Sequence, residues 1–297
     1  MMALQRRQRT IVRPTEVQGI GFFTGADVRV RFLPARANQG VLFQRVDVPL
    51  APPIPAVAAS TVPRERRTAV ERQGITIEMT EHVLAALSGL RIDNCLVELD
   101  ATELPGLDGS SQAYVDALLA AGIAELDAVR EQYIVTEPIT VRSPDGKQSI
   151  TCRPATAGGL TIEYQLDYGP ASPISPQSAC ATITPDTFVR ELAFARTFVL
   201  EQEVQWLRSQ GYGRRTTARD LLIFGSSGVI ENALRAENEC ARHKALDCVG
   251  DFAMLGCDLV ADITASRSGH RLNLELVRAL LAAQERAMTS PRISKAA

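Results

Sequence analysis

The chain has three histidines, and each lies among residues able to do chemistry. His243 belongs to the run Arg242-His243-Lys244-x-x-Asp247-x-x-Gly250-Asp251, inside a stretch that reads as a helix from Glu239 to Leu255. With His243 at zero, a rotation of about 100° per residue puts Asp247 near about 40°, Asp251 about 80° and Lys244 about 100°. The apolar Ala245, Leu246, Val249, Phe252 and Ala253 fall between about 180° and 300° on the same wheel. One polar stripe therefore holds a His–Asp pair at i, i+4, close enough to chelate one metal ion, with a second carboxylate and an ammonium beside it. Taken alone, the same stripe reads first as the ordinary solvated face of an amphipathic helix.

A third ligand has to come from elsewhere, and His82 in Thr80-Glu81-His82-Val83-Leu84 is the first place to look. It falls at a strand-to-helix junction, where a side chain can point into a cleft, and Glu81 is its neighbour. A catalytic zinc uses three protein ligands, an open position for water and a base to take that water's proton. His82, His243 and Asp247 with Glu81 meet that inventory. His270 lies in Ser266-Arg267-Ser268-Gly269-His270, a small-residue loop opening the last helix, where Gly269 permits unusual dihedrals. By themselves, His82 reads as a helix-start histidine, His270 as a surface histidine and Ala195-Arg196-Thr197-Phe198 as a plain extended piece. The Gly19–Gly25 run fits neither GxGxxG nor a Walker loop.

These residues need elements to hold them. Extended segments are expected over Thr10 to Val17 and the alternating Val28 to Phe32, then an irregular connection marked by Pro52, Pro53, Pro55 and Pro63. Ile75 to Glu78 reads as a strand leading to Thr80 as N-cap of a helix from Glu81 to Leu90. A strand over Asn94 to Leu99 and a helix from about Ser111 to Ala121 follow. The polar stretch Glu125 to Gln132 is the expected domain boundary. Beyond it come strands at Tyr133 to Val141, Ser149 to Cys152, Leu160 to Leu166 and Leu259 to Ala265. Helices are expected at Pro185 to Leu192, Glu201 to Ser209, Glu239 to Leu255 and Leu272 to Met288. The expected fold class is α+β in two domains, residues 1–128 and 129–297, each a two-layer sandwich of a mainly antiparallel sheet packed with helices. The first carries Glu81 and His82, the second His243, Asp247 and His270, with the active site between them.

Composition narrows the classes. The 297 residues, 45% of them hydrophobic, support a sizeable core. With 32 basic against 34 acidic residues and 5% aromatics, neither a global field nor stacking platforms for nucleic acid are expected. No apolar stretch is long enough to span a bilayer, and no apolar h-region follows the basic N-terminus, Met1 to Arg9. The six cysteines are dispersed without a CxxC, which points to free thiols. A cytoplasmic monomer acting on a small molecule is expected.

The fragments Thr80-Glu81-His82, Leu107-Asp108-Gly109-Ser110, Ala195-Arg196-Thr197-Phe198, Arg242-His243-Lys244-x-x-Asp247-x-x-Gly250-Asp251 and Ser268-Gly269-His270, in that order, together resemble one family. It is the zinc-dependent UDP-3-O-acyl-N-acetylglucosamine deacetylase family, whose reaction is the committed step of lipid A biosynthesis, and the resemblance runs from about Gln8 to Met288. It implies His82, His243 and Asp247 as ligands of Zn2+, with Fe2+ also compatible. It further implies Glu81 as general base, Thr197 as oxyanion stabiliser, and His270 as a cation or general acid oriented by Asp251. Lys244 and Phe198 would contact substrate, and Lys147 the nucleotide phosphates. The chain departs from the family's wording at Phe23, where His is usual, at Gly213 to Asp220, and at Ala236-Glu237-Asn238-Glu239. These departures bear on recognition of sugar, nucleotide and acyl chain. The alternatives are a related zinc deacetylase acting on another acylated amino sugar, and a nucleotide-sugar binding protein without catalysis.

Overall fold

A computed structural model describes residues 5–289; the start of the basic N-terminal run, residues 1–4, lies outside the described residues. The fold is α+β, built from mainly antiparallel sheets covered by helices. In the N-terminal half, Thr15–Ile20, Asp27–Pro34, Cys95–Leu99, Val41–Arg45 and Ile54–Pro55 form one sheet in that spatial order. Asp27–Pro34 shows why: Val28, Val30 and Phe32 are buried while Asp27, Arg29 and Arg31 are exposed, the period of a strand with one face on the core. A smaller antiparallel sheet, Thr61–Val62, Ala69–Arg72 and Ile75–Glu78, leads directly into helix α1 (Glu81–Gly89). Helix α2 (Gln112–Ala121) packs beside α1.

The C-terminal half centres on the strand Asp258–Ser266. It lies between Ser149–Arg153, antiparallel, and Leu160–Leu166, parallel, with Ile139–Arg142 and Gln177–Thr182 outside them. A short helix α3 (Pro185–Thr187) precedes the parallel pair Phe198–Leu200 and Leu222–Gly225, between which lies helix α4 (Glu201–Ser209). Helices α5 (Glu239–Phe252) and α6 (His270–Thr289) complete this half. Helix α5 packs on α1, on α6 and on the strand Leu160–Leu166, so the buried apolar side chains of both halves run together around it.

Four expectations change. Glu125 to Gln132 is mostly strand: Ile123–Val129 pairs antiparallel with Arg7–Ile11, and Gln132–Ile134 pairs parallel with Asp258–Ser266. At that crossing Arg6 binds Asp93 at 2.7 Å and Asp258 at 2.6 Å, and Arg130 approaches Asp93 at 3.1 Å. Thr80 makes no side-chain cap; its hydroxyl donates to the Thr68 carbonyl at 3.3 Å. Pro185 to Leu192 is not one α-helix, because a capped turn at Thr184 runs on into a π-helical stretch, Phe188–Leu192. Helix α6 starts at His270, two residues earlier than Leu272, so this histidine begins the helix rather than ending a loop.

Candidate metal centre and active site

The polar stripe of α5 is not solvated: His243, Asp247 and Asp251 are 3%, 2% and 0% exposed. What covers it is α1, and the contact is made close by Gly250. A Cβ at Gly250 would lie 2.1 Å from the Glu81 carbonyl oxygen, so the first turn of α1 rests on bare α5 backbone. That approach brings His82 over Asp247 and His243.

The resulting cluster has donor atoms all within 4.8 Å of one another. His243 Nε2 is 3.5 Å and His82 Nε2 3.8 Å from Asp247 Oδ1. Ligand atoms on a tetrahedral zinc lie about 3.3 Å apart, given bonds of about 2.0 Å. The His243 Nδ1–H donates to the Ala195 carbonyl at 3.1 Å, which fixes the tautomer and leaves Nε2 a lone pair facing the cluster. Asp247 Oδ1 is buried and has no hydrogen-bond partner among the described residues, whereas Oδ2 accepts from Lys244 Nζ at 2.9 Å. His82 Nδ1 is the other buried polar atom without a partner there.

Protonation suits a cation. Burial, with help from His243, lowers the His82 pKa to about 3, and burial also lowers that of His243, so both imidazoles are neutral. Burial works against the Asp247 carboxylate, but His243 and Lys244 outweigh it and hold its pKa below the usual range. Two neutral imidazoles and one carboxylate with an unpartnered buried oxygen are a donor set that suits a divalent metal.

Beside the cluster stand two titrating groups of opposite character. Burial, partly offset by His270, pushes the Glu81 carboxyl up to about 7. Burial acts to lower His270, but Asp251, Asp247 and Glu81 outweigh it and raise its pKa to about 9. His270 Nε2 is 3.8 Å from both Glu81 Oε1 and Asp247 Oδ2, while Nδ1 donates to Asp251 Oδ2 at 2.9 Å. Asn273 Nδ2 also donates to Asp251 Oδ2, at 2.8 Å. The left-handed residue of the preceding loop is Arg267, with φ 54°, and not Gly269 as expected.

Thr197 lies 3.4 Å from His243 Nε2 and 3.5 Å from His82 Nε2, with its amide and hydroxyl both donating to the Gly109 carbonyl, at 2.7 and 3.0 Å. Arg196 anchors this segment by binding Glu239 at the start of α5 through Nε at 2.7 Å. The Phe198 ring is edge-on to His243 at 6.0 Å and under Lys244 Nζ at 5.6 Å. Sequence reasoning missed Thr68, Asn273, Arg196, Glu239 and Gly250 as positioning residues; the quoted stretches already contained Gly250, Arg196 and Glu239 without a role, while Thr68 and Asn273 carry no local signal.

All of this opens into one cavity of about 820 Å³. Phe198, Val204, Leu207, Leu221 and Ile223, from α4 and the strands flanking it, make an apolar wall. Lys147 and Arg267 line another wall, both at the end of the sheet where Ser149 pairs with Ser266. Lys147 is exposed on its turn. The two departures at Phe23 and Gly213 to Asp220 meet: Phe23 packs edge-on to Tyr212 at 5.8 Å, and Gly213 N donates to the Phe23 carbonyl at 3.2 Å. The Arg67 guanidinium lies over the Phe23 ring, 3.9 Å from its centroid.

Residues 8–282 match the family model described as UDP-3-O-acyl N-acetylglycosamine deacetylase. The chain is 36% identical over 277 residues, 93% of its own length and 92% of the relative's, to a protein of Solibacter usitatus (strain Ellin6076) named UDP-3-O-acyl-N-acetylglucosamine deacetylase.

Proposed function

The chain belongs to the UDP-3-O-acyl N-acetylglycosamine deacetylase family, and from that premise we propose how its residues perform the hydrolysis. The reaction removes the N-acetyl group of UDP-3-O-acyl-N-acetylglucosamine as acetate, in lipid A biosynthesis. The enzyme divides into residues 1–128 and 129–297, with the site where α1 of the first meets α5 of the second. His82, His243 and Asp247 hold the metal, taken as zinc, with iron(II) compatible with the same donors. A bound zinc supplies Lewis acidity toward the acyl oxygen and acidifies water at neutral pH.

The protein's own groups do the rest. Glu81, with a pKa of about 7, is ionised in a useful fraction near neutrality and takes the proton of the attacking water. His270, with a pKa of about 9, is a cation at that pH and faces the charge that develops on the acyl oxygen. A raised carboxyl and a raised imidazole side by side divide base and acid duties between them: the proton taken up by Glu81, or that of His270, goes to the sugar nitrogen as the C–N bond breaks and acetate leaves. Thr197 turns its hydroxyl from the Gly109 carbonyl to the oxyanion. Asp251 holds His270 in its protonated, aimed form. Lys244 ties down the second oxygen of Asp247, and with Phe198 it borders the sugar. The apolar wall takes the 3-O-acyl chain, and Lys147 with Arg267 faces the nucleotide phosphates.

No helix among the described residues is long and apolar enough to cross a membrane. We place the enzyme in the cytoplasm as a monomer, where its substrate is a small molecule and not a nucleic acid. The observation that carries this reading is the buried, unpartnered Asp247 Oδ1 facing two neutral histidines, with Glu81 and His270 alongside. Acetate release from the 3-O-acylated UDP-sugar and from UDP-N-acetylglucosamine tests it. The acylated substrate is expected to turn over far faster, because remote acyl burial contributes to transition-state binding. Equal rates on both would point to another acylated amino sugar.

A further inference from the structure

We propose that Thr68 is the positioning residue that sets Glu81 against the His270–Asp251 pair. The inference rests on the roles given above to Glu81 and His270. Thr68 is 1% exposed and lies just before the strand Ala69–Arg72, far in sequence from α5 and α6. Its amide donates to Glu81 Oε2 at 2.9 Å, which leaves Oε1 as the oxygen turned toward His270. Its carbonyl accepts the Thr80 amide at 3.1 Å, holding the residue that immediately precedes Glu81. Its hydroxyl donates to Asp251 Oδ1 at 2.6 Å and lies 3.2 Å from His270 Nδ1.

The hydroxyl has one proton, and the 2.6 Å contact to a carboxylate oxygen assigns it to Asp251. An oxygen lone pair of Thr68 then faces His270 Nδ1–H, which is shared between Thr68 and Asp251 Oδ2. Asn273 holds Oδ2 of Asp251, and Thr68 holds Oδ1, so the carboxylate keeps one orientation, with Oδ2 on Nδ1 and His270 Nε2 3.8 Å from Glu81 Oε1. One residue thus fixes both members of the acid–base pair, the base by its main chain and the acid by its side chain.

Thr68→Val keeps the shape and removes only the hydroxyl, whereas Thr68→Ser keeps the hydroxyl. We expect Thr68→Val to lower kcat on the order of tenfold to a hundredfold, the scale of a misplaced reacting group. KM should stay within about twofold and metal content at the parent level, since neither ground-state binding nor the ligands change. Thr68→Ser should restore kcat to within about threefold of the parent. In a His270→Ala background, Thr68→Val should cost less than about twofold, because its effect runs through that histidine. Circular dichroism verifies folding of each variant, and Thr68→Ala provides a second hydroxyl-free chain. Parental kcat in the valine and alanine variants, equal losses in valine and serine, or full additivity with His270→Ala would overturn the proposal. Parental kcat in His270→Ala itself would overturn the roles on which it rests.

Discussion

Gly250→Ala is expected to take the candidate metal site apart without touching any of the three proposed ligands. The Cβ it adds would lie 2.1 Å from the Glu81 carbonyl oxygen, 2.9 Å from the Glu81 carbonyl carbon and 3.2 Å from the Ala85 amide. All three are backbone atoms of α1 and none can rotate away. An ordinary contact begins near 3.4 Å, so α1 and α5 must separate by about 1.3 Å where they cross. His82 and Glu81 travel with α1, His243 and Asp247 with α5. The 3.8 Å between His82 Nε2 and Asp247 Oδ1 would open to roughly 5 Å, against about 3.3 Å for two ligands of one zinc. Overpacking of this kind costs about 1–3 kcal/mol of stability, and a 1 Å displacement of reacting groups costs about a hundredfold in rate. Gly89→Ala is the matched comparison, since its Cβ would meet the Phe188 ring at 2.3 Å at the other end of α1. Melting temperature, metal content by mass spectrometry and acetate release are measured on both. We expect both variants to melt earlier, and only Gly250→Ala to lose metal and most of its activity. Parental metal content and kcat in Gly250→Ala would refute the claim that this glycine sets the site.

Asp251→Asn should move the basic limb of the kcat/KM profile to lower pH, because the proposed role of His270 needs the cation and Asp251 is the largest favourable cause of its raised pKa of about 9. If Asp251 carried the whole elevation above the ordinary 6.5, the protonated fraction at pH 7.5 would fall about tenfold. An unmoved basic limb would separate His270 from that limb. Phe23→Ala should raise KM for the acylated substrate roughly tenfold with kcat little changed, since it strips an aromatic face from the cavity wall shared with Tyr212. Equal effects on UDP-N-acetylglucosamine would take this wall away from the acyl chain.

How much was legible in the sequence follows from how local each feature is. The helical wheel placed His243, Asp247 and Asp251 on one stripe because i, i+4 geometry needs no tertiary information, and α4 and the strand Leu160–Leu166 have the bounds their patterns predict. The wheel could not distinguish a solvated stripe from a buried one, since that depends on α1 arriving from a region some 160 positions earlier. Glu125 to Gln132 reads as a polar domain boundary because the strand Ile123–Val129 alternates between exposed and half-buried side chains and its partner, Arg7–Ile11, is remote. Thr68 has no signal at all: its bond to Asp251 spans 183 positions, and nothing around it in the chain suggests chemistry. Lys147 stands on an exposed turn lining the same cavity, and no local pattern specifies its approach to a substrate.

The central claim is that His82, His243 and Asp247 hold the metal while Glu81 only moves a proton. Metal content measured beside steady-state acetate release, on Asp247→Ala and Glu81→Gln, tests it most directly. Asp247→Ala removes the oxygen that has no other partner, so it should lose most of its zinc together with its activity. Glu81→Gln keeps the side chain's size and the acceptor for Thr68 N, so it should retain near-stoichiometric zinc and turn over at least about a hundredfold more slowly. Zinc lost from Glu81→Gln would make Glu81 a ligand, and zinc retained by Asp247→Ala would place the metal somewhere other than this cluster.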